Sequence, residues 1–94
     1  MITDFNETAQ EVLTGLEKTQ RDFWNISRPT ALFLYNLIKN EGFTHGLEVG
    51  TSNGYSGIWL STALKANGGT LDTIEYYEKR FSIALENFKK CGTA

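Results

Sequence analysis

The sequence predicts an α/β fold: the opening βαβ unit of a doubly wound parallel sheet, preceded by two helices. Three observations predict it. Hydrophobic periodicity reads helix, helix, strand, helix, strand, helix along the chain. A short apolar strand, Leu47 to Val49, runs into the turn Gly50-Thr51-Ser52-Asn53-Gly54 and straight on into a helix. Two strands joined by a helix form a right-handed parallel crossover, the starting unit of such a sheet.

The first helix is expected from about Asp4 to Trp24. Phe5, Ala9, Val12, Leu13, Leu16 and Phe23 recur at three- and four-residue steps, and Asp4 can cap the start with Glu7 three places on. Thr14 and Gly15 weaken its middle, so a break is expected there. This helix packs on a larger body, or serves as a lid or dimer element. Pro29 opens a second helix to about Asn40, since proline suits a first turn. Ala31, Leu32, Leu34, Tyr35, Leu37 and Ile38 give it a wide apolar face, and Gly42 suits the left-handed cap.

The strand Leu47–Val49 is apolar on both sides apart from Glu48, the pattern of a strand inside a parallel sheet. The helix from Tyr55 to Ala66 is apolar nearly all round, so it needs burial on more than one side. Asn67-Gly68-Gly69 is a turn signal, and Thr70 to Ile74 read as the second strand. A last helix runs from about Tyr77 to Lys90, with Gly92 as its stop. Glu86 and Lys90 form a four-step ion pair worth roughly 0.3 kcal/mol. Residues 1–42 thus hold the N-terminal helices and 43–94 the βαβα half.

Composition narrows the function. Ninety-four residues suit one small domain, and a net charge of -2 argues against a nucleic-acid partner held by clustered Lys and Arg. No run reaches the length of a membrane span, and no basic-then-apolar leader opens the chain. A single cysteine, Cys91, suits a reducing cytoplasm. One His and one Cys make no zinc-ligand cluster. His45 reads as a surface loop residue, and Trp24 and Trp59 as core.

The run LEVGTSNGYSGIWLSTAL resembles the first cofactor-binding motif of class I S-adenosylmethionine-dependent methyltransferases. Its GTSNGYS wording is closest to O-methyltransferases of the catechol and caffeoyl-CoA type. The resemblance covers about Ile26 to Gly92 and implies a Rossmann-like sheet with S-adenosylmethionine as cofactor. It implies nothing firm about the methyl acceptor beyond a small hydroxyl compound.

Roles follow residue by residue. Glu75 stands about twenty residues past the glycine loop, at the end of the second strand, where a carboxylate takes the two hydroxyls of a ribose; the alternative is a solvated strand end. Glu48 must be paired or hydrogen-bonded to be buried. The resemblance puts it beneath the cofactor, against loop N–H groups and the methionine amine; tying down the loop is an equally physical role. Gly50 stands where the cofactor crosses the strand end, with Thr51 and Ser52 lining the crossing and Gly54 closing the loop. Ser56, in the first helical turn, either caps the helix or meets the methionine carboxylate, which a helix N-terminus favours. The resemblance sets Tyr76 against the adenine, unless it is simply exposed, and the backbone of Ile26 and Ser27 against the methionine end. A nicotinamide dinucleotide fits less well, because Ser52 stands where that fingerprint has its second glycine.

The resemblance also implies an incomplete domain. In the family the acceptor pocket and, in metal-dependent members, the acidic residues holding a divalent ion such as magnesium lie on later strands. The chain is therefore expected to be inactive alone and to associate with itself through an open sheet edge. The competing class is a non-catalytic binding or interaction module that keeps the half-site.

Overall fold

A computed structural model describes residues 5–18, 26–75 and 78–92. The elements are α1 (Glu7–Glu17), α2 (Arg28–Glu41), β1 (His45–Val49), α3 (Tyr55–Ala66), β2 (Thr70–Ile74) and α4 (Glu78–Cys91). The expected elements are present in the expected order. Phe23, Trp24, Tyr76 and Tyr77 lie outside the described residues.

Helix α1 starts two residues later than the sequence suggests. Its cap is Asn6, whose Oδ1 accepts the Ala9 N–H at 2.8 Å, and not Asp4, which lies outside the described residues. The reason is Phe5. Its ring is drawn into the core before the helix begins, 4.9 Å from the Trp59 ring and 5.4 Å from Tyr35. Ala9 and Leu13, one turn apart, form the buried stripe. The helix does not break at Gly15 but runs through it to Glu17.

Ser27 caps α2, accepting the Thr30 N–H, and Pro29 sits in the first turn. Gly42 closes it at φ 68°, the left-handed region in which a side chain is strained. The buried stripe is narrower than expected. Ala31 and Tyr35 are buried, with Ile38 packed alongside, while Leu32 and Leu37 stay exposed. Asn67 joins the ends of two helices, its Nδ2 donating to Ile38 O at 3.0 Å and Phe43 O at 2.9 Å.

The strands β1 and β2 pair in parallel, with Glu48 opposite Thr73 and Val49 opposite Ile74. They are the two strands of the sheet among the described residues. Helix α3 packs on one face and is buried through Tyr55, Ile58, Trp59, Ala63 and Leu64, as an all-round apolar helix requires. Helices α1, α2 and α4 pack on α3 in turn. Among the described residues β1 is covered on one side, and not on both as expected. Leu47 is 69 % and Val49 78 % exposed, and Ile74 beside them 56 %. The covering layer lies on one face, so alternate residues of both strands face outward.

Helix α4 buries Ala84, Asn87, Phe88 and Cys91. Its Glu86–Lys90 pair stands at 3.4 Å, exposed. Burial pushes the Cys91 thiol above its ordinary value, against the opposing charge of Lys90. Among the described residues no helix is long and apolar enough to cross a membrane.

Candidate functional site

The loop between β1 and α3 takes its shape from two glycines and a serine. Gly50 (φ 90°) and Gly54 (φ 93°) both adopt left-handed conformations. Gly54 also lies 3.3 Å, by the position a Cβ would take, from the Ala84 backbone, so it lets α4 approach the loop. Nothing stands within 4 Å of a Cβ placed on Gly50. The space above that residue is open. Ser52 too has a positive φ, 54°, a conformation uncommon for a residue with a side chain.

The loop is fastened to β2. Both Gly50 N–H (2.7 Å) and Thr51 N–H (3.2 Å) donate to Ile74 O, and Ser52 N–H donates to Glu75 Oε1 at 2.6 Å. Glu75 therefore stands beside the loop, held by one of its N–H groups. Asn53 is fully buried. Its Oδ1 accepts Tyr55 N–H at 3.1 Å, and its carbonyl accepts from Asn87 Nδ2 at 2.7 Å.

Glu48 lies under the first turn of α3 and is half-buried. Its two oxygens accept different donors: Ser56 Oγ on Oε2, and Thr73 Oγ1 on Oε1 at 2.8 Å. Thr73 gives its one proton to Glu48, so in its 2.5 Å contact with Thr51 Oγ1 the donor is Thr51. A relay of hydroxyls thus runs from the loop through β2 to the carboxylate. Burial pushes the Glu48 carboxyl above the usual carboxylate value, and the bonds from Ser56 and Thr73 pull it partly back. Gly57 makes the arrangement fit. A Cβ there would meet Glu48 Oε1 at 3.1 Å and the Phe88 ring at 2.7 Å.

The structure brings Glu48, Gly50, Thr51, Ser52, Gly54, Ser56 and Glu75 together around this loop. The Ser56 hydroxyl is turned onto Glu48, and the N–H groups of Gly50, Thr51, Ser52 and Tyr55 already have acceptors in the chain. Ile26 is half-buried and packs against the core at the foot of α2. Tyr76 lies outside the described residues. His45 is exposed at the start of β1, and Trp59 is in the core.

Sequence reasoning missed Thr73, Asn87 and a cluster at the N-terminal end of α3. Thr73 could have been found by alternation, since it shares a face of β2 with Leu71 and pairs with Glu48. The cluster had no local signal. Tyr55 Oη donates to Glu17 Oε2 at 2.6 Å, and Arg28 Nε donates to the same oxygen at 2.9 Å. Burial, and then the bond to Glu17, push the Tyr55 phenol up to about 12.

A groove of about 490 Å³, lined by Ser61, Lys65, Thr70, Leu71, Thr73 and Phe88, opens beside β2. It shares only Thr73 with the loop network. Among the described residues no three His, Cys, Asp or Glu side chains gather as a metal site.

No family model matches the chain. Its sequence is 46% identical over 46 residues to a catechol O-methyltransferase of Niastella koreensis, a match covering 49% of this chain and 20% of that protein. The solved structure of the O-methyltransferase TomG from Streptomyces achromogenes, involved in tomaymycin synthesis and in complex with SAM, superposes with a TM-score of 0.78 at 31% identity. The match covers 96% of this chain and 41% of TomG. An O-methyltransferase from Bacillus cereus, in complex with SAH, gives 0.76 at 32% identity, covering 94% of this chain and 40% of that one. The fold alone is shared with the Podospora anserina methyltransferase PaMTH1, at a TM-score of 0.79 and 22% identity. The chain spans about two fifths of the length of these solved structures and one fifth of the curated relative. It is similar, in sequence and in a partial Rossmann-like fold, to the class I S-adenosylmethionine-dependent O-methyltransferases.

Proposed function

We propose that this chain is the S-adenosylmethionine-binding, amino-terminal portion of an O-methyltransferase whose acceptor is a small hydroxyl compound. Residues 1–42 are its leading helices and 43–94 its cofactor half. The observation that carries the reading is a pair of carboxylates on adjoining strands about one glycine loop: Glu75 accepts the loop N–H of Ser52, Glu48 accepts the Ser56 hydroxyl in the first turn of α3, and the space over Gly50 is open. The donor set suits this ligand. Acidic and hydroxyl groups favour an ammonium, a sulfonium and a ribose diol, whereas Glu48 would repel a phosphate.

In this reading Glu75 holds the ribose hydroxyls and keeps Ser52 in its strained turn. Glu48 fixes the loop through Ser56 and Thr73 and faces the methionine amine. Gly50 leaves room for the ligand to cross, Thr51 and Ser52 line the crossing, and Gly54 closes it. Ser56 N–H and the end of α3 favour the methionine carboxylate. The backbone at Ile26 borders the methionine end, and Tyr76 lies against the adenine. The bound cofactor supplies a methyl group already activated by its sulfonium. What the chain adds is alignment and exclusion of water. The acceptor pocket, and a magnesium ion if the parent enzyme uses one, belong to the remainder of the family fold. The single cysteine suits a cytoplasmic setting.

Calorimetry with S-adenosylmethionine and its demethylated product tests the reading. Saturable one-to-one binding, lost in Glu75→Ala, is expected; heats no different from buffer at millimolar ligand would end it. A second reading, a non-catalytic interaction module, is favoured by the exposed row Leu47, Val49 and Ile74. Copies associate through the open sheet edge in either reading; a product assay with a catechol panel, with and without magnesium, separates catalysis from mere binding.

A further inference from the structure

The first turn of α3 is held from two sides. Ser56 ties it to Glu48 and so to the sheet. Tyr55, its neighbour, ties it to Glu17 at the end of α1. The N-cap, Gly54, has no side chain to bond the first-turn N–H groups of the helix, and Asn53 Oδ1 takes that of Tyr55. Its start therefore depends on these tertiary restraints more than most helices do.

The Tyr55 side is built with polar groups where apolar ones would fill the space. The residue is fully buried, so a phenylalanine would pack as well there and leave no hydroxyl to satisfy. The phenol instead reaches a carboxylate 38 positions earlier in the chain. That carboxylate is oriented by a second donor on the same oxygen, Arg28 Nε, in the first turn of α2. Arg28 is braced in turn over the Trp59 ring, 5.2 Å from its centroid and one turn on from Tyr55. Three helices thus meet at one carboxylate oxygen. Arg28 is two residues from Ile26, and Tyr55 is next to Ser56. The contact therefore involves sequence neighbours of two residues that the cofactor reading assigns to the methionine end.

We infer that Glu17, Tyr55 and Arg28 are positioning residues: the N-terminal helix clasps the first turn of α3 and thereby sets the affinity of the glycine loop for its cofactor. The inference rests on the cofactor reading above.

The test is titration of S-adenosylhomocysteine into the unmodified chain, Tyr55→Phe, Glu17→Gln, Glu17→Leu and the Tyr55→Phe/Glu17→Leu double variant. Amide hydrogen exchange over residues 50–58 is followed alongside in the ligand-free proteins. Tyr55→Phe and Glu17→Leu should each weaken binding about tenfold, the scale of one hydrogen bond to a charged group. The double variant should be no weaker than either. Glu17→Gln, which keeps an acceptor for the phenol, should recover part of the loss. Exchange across the loop should quicken in Tyr55→Phe while β1 and β2 keep their protection. Unchanged affinity in Tyr55→Phe, or losses that add, would overturn the inference and leave the cofactor reading standing. No binding by the unmodified chain would remove both.

Discussion

The two faces of the β1–β2 sheet depart from the usual arrangement toward the glycine-loop end. On the covered face a carboxylate and a threonine, Glu48 and Thr73, lie beneath α3; Glu48 accepts from both Thr73 and Ser56. On the bare face Leu47, Val49 and Ile74 stand in solvent. A sheet meant to meet water on one side places polar residues there and apolar ones inside. This one reads as a sheet with apolar demand on both sides, one of which has been given a polar cluster. The polar cluster costs desolvation, as the raised Glu48 carboxyl shows. In the cofactor reading proposed above, a ligand at the glycine loop offsets that cost. The bare row is apolar surface that no element among the described residues covers.

The largest expected effect breaks the covered face. Leu64 is buried, and its Cδ1 stands 2.8 Å from where a Cβ on Gly46 would lie. Leu64→Ala should cost about 2–5 kcal/mol, read as a lowered midpoint in urea. A smaller and more diagnostic effect comes from Glu48→Gln. The folded carboxyl titrates above its ordinary 4.5, so its protonated form is the one folding favours. Its contribution to stability is present at low pH and is lost as pH rises from 4.5 through the folded value. Glu48→Gln should flatten that decline and raise the melting temperature at neutral pH, while weakening cofactor binding about tenfold. A melting curve with the same pH dependence in both proteins would show that Glu48 pays no burial penalty. The smallest effect belongs to the bare face. Val49→Lys should change monomer stability by no more than about 0.5 kcal/mol. It should nevertheless reduce association, seen as a lower sedimentation coefficient at high concentration. A large loss of stability there would mean that Val49 is covered in solution.

Local chemistry made much of this legible. The turn Asn67-Gly68-Gly69, the left-handed Gly42 and the Glu86–Lys90 pair all follow from residues within a few positions of each other, and the crossover from β1 to β2 from the order of such local signals. What escaped was long-range. The partners of Glu48 depend on the register that sets position 48 against 73, and a strand's register is written in both strands at once. Asn87 reaches Asn53, and Glu17 reaches Tyr55, only once the helices have packed. The start of α1 was misplaced for a related reason: Asp4 and Asn6 are comparable caps by residue type, and the burial of Phe5 chooses between them. The bare face was misread because alternation of apolar residues reports the surroundings a strand is suited to, not those that the described residues supply.

Cys91 offers a way to watch these helices part. Its sulfur is shut in at the end of α4, close to where α1 packs, and its burial disfavours the reactive thiolate. Cys91 lines a groove with Phe5, Asn6 and Ala9, so the rate at which a thiol reagent labels it serves as a clock for how closely α1 and α4 pack there. As the chain's single cysteine, it needs no engineered background, and the same clock run with and without ligand would tell whether filling the loop also tightens the far end of the molecule.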